Sequence, residues 1–360
     1  MPGIGERSDA VLRTALPGHD DGVMLTLVGN NVAVPSRLET SSPISDVVAG
    51  RMASFNERAA TLPCLGTPAC GMSYDLLINA IVAGLLLGGF YVAVTIGLSI
   101  SFGILDIVNI AHPAFIILGA YVVYIVNSQF GLDPILVAVV MLPVFYALGA
   151  GVYQVYFLSF ERRGQAALRG LAFFFGLLFV NEVALILVFG VDYRYVTAPY
   201  IGPSLRLGPI DFPLRMLIPF LTAMVMFAAI QLFLSRTFIG RAIKAVSQDQ
   251  LALRLMGADP TRIKRIAFAL SIATASIAGA LLIIIQPIEP SIGREFIGRA
   301  FAICVLGGMG SLPGTIVAGL LLGVVESLTA TFHGPSWSPA ISFGFLLITL
   351  AVRPAGLMGR

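Results

Sequence analysis

Lysine is almost missing from this chain: Lys244 and Lys264 are its only examples. A phosphate-binding P-loop needs a lysine directly after a glycine, G-x-x-x-x-G-K-[ST]. Lys244 follows Ile243 and Lys264 follows Ile263, so neither qualifies, and the run Gly307-Gly308-Met309-Gly310 has no lysine and apolar flanks. Any ATP hydrolysis that serves this protein therefore belongs to another chain. Cysteine is scarce too. Cys64, Cys70 and Cys304 contain no C-x-x-C pair, and Cys304 sits in an apolar run, which argues against a metal site or a disulfide framework. The spacing of Cys64 and Cys70 leaves their pairing in an oxidising compartment open. His19, His112 and His333 are far apart and have no metal-ligand spacing. No nucleophile–base pair stands out, so the sequence offers no catalytic residue, no metal ligand and no cofactor site. Charge is the largest deficit: 11% of residues are charged and the net charge is +3, where a soluble domain carries about 25% charged residues. The few basic residues are spread over several loops, which argues against nucleic-acid binding.

In place of charge there is apolar sequence. Hydrophobic residues make up 57% of the chain and the mean hydropathy is +0.92. A soluble fold of this length has nowhere to hide so much apolar surface, and lipid is the solvent that removes the problem. The character changes near residue 72. Residues 1–71 are mixed and polar, with five Arg and seven acidic residues. They read as a poorly ordered extension or as lying upstream of a true start at Met72, with a small folded domain as a third reading. From 72 to 360 the sequence reads as a transmembrane domain. Apolar runs fall near 76–93, 95–110, 113–129, 135–158, 171–190, 214–234, 266–286, 297–312, 314–331 and 338–352. A membrane helix needs roughly 20 apolar residues. The short runs 95–110 and 297–312 therefore read as half-helices or re-entrant pieces, tolerated at membrane depth only when buried in protein. The expected fold is an all-α polytopic membrane bundle of eight to ten transmembrane helices, some short or broken.

Loop charge predicts orientation. Arg162, Arg163 and Arg169 lie in 159–170; Arg236, Arg241, Lys244, Arg254, Arg262, Lys264 and Arg265 lie in 235–265; Arg353 and Arg360 close the chain. The opposite loops hold only Arg194, Arg206, Arg215, Arg294 and Arg299. The richer set should be cytoplasmic, and an even number of spans would put the N- and C-termini there together.

Several local patterns carry more than hydropathy. Gly84-Leu-Leu-Leu-Gly88 and Gly319-Leu-Leu-Leu-Gly323 are both G-x-x-x-G, a spacing that lets helix backbones approach closely in lipid. The segment 235–265 is long, basic and amphipathic: Ile243, Val246, Leu251, Leu255 and Met256 recur at helical spacing, Gly257 ends the helix and Asp259-Pro260 opens the next. Such a segment lies on the membrane surface or docks into a partner's groove, and without a partner its Val246, Leu251 and Leu255 would face water. Asp106, Glu182 and Glu326 fall in or beside apolar runs, where a charge is costly. They line a path, or they bond between helices. Asp106, Asn109 and His112 cluster where Pro113 breaks an apolar run, and broken helices expose backbone groups suited to a zwitterion.

Four stretches together carry a family resemblance. They are Gly97-Leu98-Ser99-Ile100-Ser101-Phe102-Gly103 with Val108-Asn109-Ile110-Ala111-His112; 240–257, from Gly240-Arg241 through Asp249 to Leu255-Met256-Gly257; Ala300-Phe301 with 305–311 and Gly314; and Gly323 to Glu326. In that order they resemble the inner-membrane permeases of branched-chain amino-acid ATP-binding-cassette importers, with Pro113 standing where the family commonly has glycine. The resemblance implies a bacterial inner-membrane permease subunit that works by alternating access. Its partners would be ATP-binding subunits, a second permease subunit (identical or different) and a soluble substrate-binding protein, with no cofactor. It also implies that Gly240, Arg241, Lys244, Ala245, Asp249, Leu255 and Gly257 belong to the loop that docks on the ATPase. The rival functions are an ATP-binding-cassette permease for another solute class such as sugars, and a secondary transporter that needs no ATPase.

Overall fold

The computed structural model describes residues 74–163, 166–207, 210–353 and 356–358. The extension 1–71 and the Cys64–Cys70 pairing lie outside these residues. Eight helices are long and apolar enough to cross a membrane. The first, α1 (Tyr74–Leu98), continues as a π-helix over Ser99–Ile104. Then come α2 (His112–Phe130), α3 (Pro134–Ser159) and α4 (Ala166–Phe189). A two-stranded antiparallel hairpin follows, β1 (Ser204–Leu207) and β2 (Ile210–Pro213). α5 (Leu214–Arg236) leads into two short helices, α6 (Phe238–Gln248) and α7 (Gln250–Leu255). The chain ends with α8 (Pro260–Ile285), α9 (Gly293–Gly307), α10 (Leu312–His333) and α11 (Ser338–Val352).

Local chemistry sets these boundaries. Asp133 caps α3 by accepting from the Ile135 amide at 2.8 Å, with Pro134 at the first helical position, where its missing N–H costs nothing. Asp259 and Pro260 open α8 in the same way, as the sequence predicts. The two expected short runs resolve differently. Run 95–110 fuses with its predecessor up to Ile104. Run 297–312 becomes α9, whose 15 residues span only about 22 Å at ~1.5 Å per residue.

α8 forms the centre of the bundle and is buried along nearly its whole length. α3, α4, α5 and α11 turn apolar faces outward, for example Val140, Val180, Val225 and Leu347. The two G-x-x-x-G motifs meet each other. α1 and α10 run antiparallel, and a Cβ on Gly88 would stand 2.7 Å from Leu320 Cα, one on Gly84 2.6 Å from Val324 Cα. Only glycine permits that approach, which replaces hydrophobic driving force with dense van der Waals contact in a lipid solvent.

The two ends of the bundle are distinct. Asp106, Ile107 and Val108 share a cleft with Tyr156, Gly170 and Leu171 at the basic end. There α6 also packs against the π-turn of α1. At the other end, the Asp211 amide donates to Asn79 Oδ1 at 3.0 Å, joining the hairpin to the start of α1. At the basic end the residues after α11 return to the end of α9, where the Leu357 amide bonds the Leu306 carbonyl at 2.8 Å. The first and last described helical residues thus lie at opposite ends.

Candidate translocation site

The π-turn of α1 ends by exhausting its hydrogen bonds. The Ile107 amide reaches back to the Ser101 carbonyl at 2.9 Å, and Asp106 takes φ 58, a left-handed conformation that aspartate tolerates better than most residues. The chain then climbs from the basic end into the bundle without helical structure and restarts as α2 at His112, with Pro113 in its first turn. Pro113 therefore begins a helix here. That restart lies deep: Asn181, well along α4, donates to the Ala114 carbonyl at 2.6 Å. Non-helical backbone and a positive helix end are thus buried among helices, an arrangement suited to ion and solute sites.

Asn109 and His112 sit in this turn, both 0% exposed, and the His112 amide bonds the Asn109 carbonyl at 3.2 Å. Nδ2 and Oδ1 of Asn109 and both ring nitrogens of His112 are buried and make no bond of good hydrogen-bond geometry, although the Val94 backbone lies close enough to act on the imidazole. Each such orphan costs about 1–3 kcal/mol. Gly97 makes room for the imidazole, since a Cβ there would stand 2.7 Å from His112 Nε2 and 2.5 Å from Thr274 Oγ1. The hydroxyls nearby are satisfied. Ser271 donates to the Gly97 carbonyl at 2.6 Å, and Ser99 and Thr315 share a bond at 2.9 Å. The structure leaves Asp106 apart from the other two, exposed at the basic end of the climb.

The two intramembrane acids are paired. Glu182 takes a bidentate bond from Arg294, 2.8 Å from Nε and 2.5 Å from Nη2. Glu326 meets Arg299 at 3.2 Å and accepts from the Tyr91 hydroxyl at 2.7 Å. Both arginines project from α9, one toward α4 and the other toward α10, so the short helix is held on two flanks. A third pair, Lys264 with Glu161 at 2.6 Å, ties the start of α8 to the turn after α3, helped by the Tyr153 hydroxyl at 2.9 Å. The sequence places Arg294 and Arg299 in a loop. Their signal, two arginines flanking Phe296, is silent until α9 is seen to be buried.

The amphipathic loop forms a compact unit at the basic end. Thr237 Oγ1 caps α6 through the Gly240 amide at 3.0 Å, and a Cβ on Gly240 would stand 2.5 Å from Leu234 Cα. Asp249 caps α7 through the amides of Leu251 and Ala252 at 2.7 and 3.0 Å. Gly257 takes φ 81, open to glycine at little cost. Arg241, Lys244 and Asp249 are exposed and Ala245 is half-buried. Leu251, Leu255 and Met256 are exposed at 67%, 82% and 85%. Val246, expected on the outward face, is instead buried with Ile243, because helical phase turns both toward the bundle. The outward face borders a groove of about 570 Å³ between Phe238, Arg241, Asp249 and Met256.

Residues 80–350 match the family model described as branched-chain amino acid transport system / permease component. The chain is 32% identical over 298 residues to the high-affinity branched-chain amino acid transport system permease protein BraD of Pseudomonas aeruginosa, covering 79% of this chain and 96% of that one. It is 27% identical over 289 residues to LivH of Escherichia coli, covering 77% and 94%. A shorter match to LivM of Salmonella typhimurium is 39% identical over 127 residues, covering 35% and 29%. No solved structure matches.

Proposed function

The chain belongs to the family of branched-chain amino acid permease components, and from that premise we propose that it carries branched-chain amino acids across the bacterial inner membrane past Asn109 and His112. The observation that supports this path is the buried, unbonded polar turn at the restart of α2. A path needs such groups free for a solute, whereas a packing role would pair them. The protein is a multi-pass membrane permease and performs no chemistry of its own. Energy comes from ATP-binding subunits that dock on 240–257, where Leu251, Leu255 and Met256 offer apolar surface to a partner. A second permease subunit and a soluble binding protein complete the transporter. Loop charge puts the basic end in the cytoplasm, so Tyr74 begins on the outer side and Arg353 ends on the inner. Residues 1–71 are dispensable, and a chain starting at Met72 inserts and transports normally.

The test is leucine uptake by cells or proteoliposomes carrying the assembled transporter. Asn109→Ala and His112→Ala should each reduce uptake at unchanged membrane abundance. Uptake equal to wild type in both variants would remove this turn from the path.

A further inference from the structure

The cleft at the basic end, about 280 Å³ in volume, lies at the foot of the climb to Asn109 and His112. One wall is the non-helical stretch 106–108, which continues straight into Asn109. The facing wall is the first part of α4, with Gly170, Leu171 and Phe174, and Tyr156 of α3 closes the side. Leu171 is 39% exposed, so the cleft is reached from the surface. Asp106 is exposed beside it, and a charge in that position calls for water rather than lipid. α4 fits tightly here: a Cβ on Gly170 would stand 2.8 Å from Tyr156 Cε2.

Aromatic rings lie between the cleft and the turn. Phe174 lines the cleft yet is only 1% exposed. Its ring centroid stands 5.3 Å from that of Tyr156, and it stacks at 5.7 Å on Phe268 of α8. Phe268 is fully buried and also meets Tyr153 at 5.8 Å. One turn further along α8, Ser271 donates to the Gly97 carbonyl at 2.6 Å, and Gly97 is the residue against which the His112 ring sits. A line of contacts therefore runs from the cleft through Phe174 and Phe268 to His112, polar at both ends and apolar in the middle. A zwitterion does not cross packed rings at rest, since shedding water without new partners is costly. The rings must part, and the wall facing Phe174 is non-helical backbone, the kind of segment that absorbs a change of backbone angles.

We propose that Phe174 is the inner gate of the path and that this cleft is the mouth through which the amino acid leaves toward the cytoplasm. The ring closes against Phe268 and Tyr156, and its withdrawal joins the cleft to the turn. The gate rests on the proposed path past Asn109 and His112, and it adds the exit route and the residue that blocks it.

The experiment reads how accessible the turn is from the cytoplasmic side. Asn109→Cys is placed in a full chain carrying Cys64→Ser, Cys70→Ser and Cys304→Ser, and inside-out vesicles with the assembled transporter are treated with a membrane-impermeant methanethiosulfonate. Labelling tracks the open population, and a minor open state of about 0.1–10% leaves room for Phe174→Ala to speed it about tenfold or more. Val108→Cys, on the cleft side of the rings, should react equally fast with and without Phe174→Ala. Phe174→Leu should give an intermediate rate at Asn109→Cys, and it serves where the alanine variant accumulates poorly. Leu171→Trp narrows the mouth from an exposed position, so leucine uptake should be largely lost at unchanged membrane abundance and unchanged co-purification of the ATP-binding subunits. Equal labelling of Asn109→Cys with and without either Phe174 variant would overturn the gate. Wild-type uptake by Leu171→Trp would overturn the mouth, as would labelling of Val108→Cys from the opposite side alone. Either result leaves the proposed function standing. No leucine uptake by the wild-type transporter would sink the proposed function, and the labelling would still decide the gate, because it needs no leucine.

Discussion

The flanks of α9 and the start of α2 are both polar and both buried in the bundle, yet they are built on opposite terms. Around α9 the two buried acids are paired: Glu182 with Arg294, and Glu326 with Arg299 and Tyr91. At the start of α2, the side chains of Asn109 and His112 make no bond of good hydrogen-bond geometry. Charges at membrane depth survive only when paired, so the α9 pairs are what lets a 15-residue helix stay in the bundle. Neutral amide and imidazole groups are cheaper to leave unbonded, and a transport path needs groups that a passing solute can engage. Pairing marks the frame, and its absence is what supports the proposed path.

The comparison breaks first, and with the largest effect, at the pairs. Arg299→Leu leaves Glu326 charged and buried, and should cost about 3–5 kcal/mol of stability. The double variant Arg299→Leu, Glu326→Leu should recover most of it. Thermal melts in detergent check both, and a single variant as stable as wild type would show that the pair holds nothing. Overpacking of the helix seam comes next: Gly88→Val should cost about 1–3 kcal/mol by forcing α1 away from Leu320, read as lower membrane abundance.

The unpaired side inverts the sign. Asn109→Leu and His112→Leu remove orphan polar atoms, so stability should hold or rise by about 1 kcal/mol while leucine uptake falls. A melt that drops with uptake would make the turn part of the frame. Leu255→Asp should change stability least, within about 0.5 kcal/mol, because Leu255 is exposed. It should still abolish co-purification with the ATP-binding subunits and stimulated hydrolysis. Complex formation equal to wild type would reduce the segment to a surface helix.

Much of this was legible beforehand, for identifiable reasons. Asp259-Pro260 announces the start of α8 and Gly257 the end of α7, because capping and left-handed turns depend on a few adjacent residues. The sequence also singles out Asn109 and His112, since polar residues beside a proline in an apolar run are conspicuous. It errs on Val246, where the period is right and the phase depends on which side the bundle lies. It groups Asp106 with the site because proximity along the chain is all it can weigh.

The chain by itself determined that it spans a membrane, that neither of its lysines can serve a P-loop, where most helices lie and which loops are basic. Composition, hydropathy and the absence of a P-loop lysine are properties of residues taken in order. Tertiary structure alone decided that the two G-x-x-x-G motifs face each other and that Glu182 and Glu326 are paired. It also decided that the side chains of Asn109 and His112 are left without well-formed hydrogen bonds. Each of these depends on contacts between residues far apart in sequence, from 112 residues between Glu182 and Arg294 to 235 between Tyr91 and Glu326. No local pattern encodes which of several apolar helices will pack side by side.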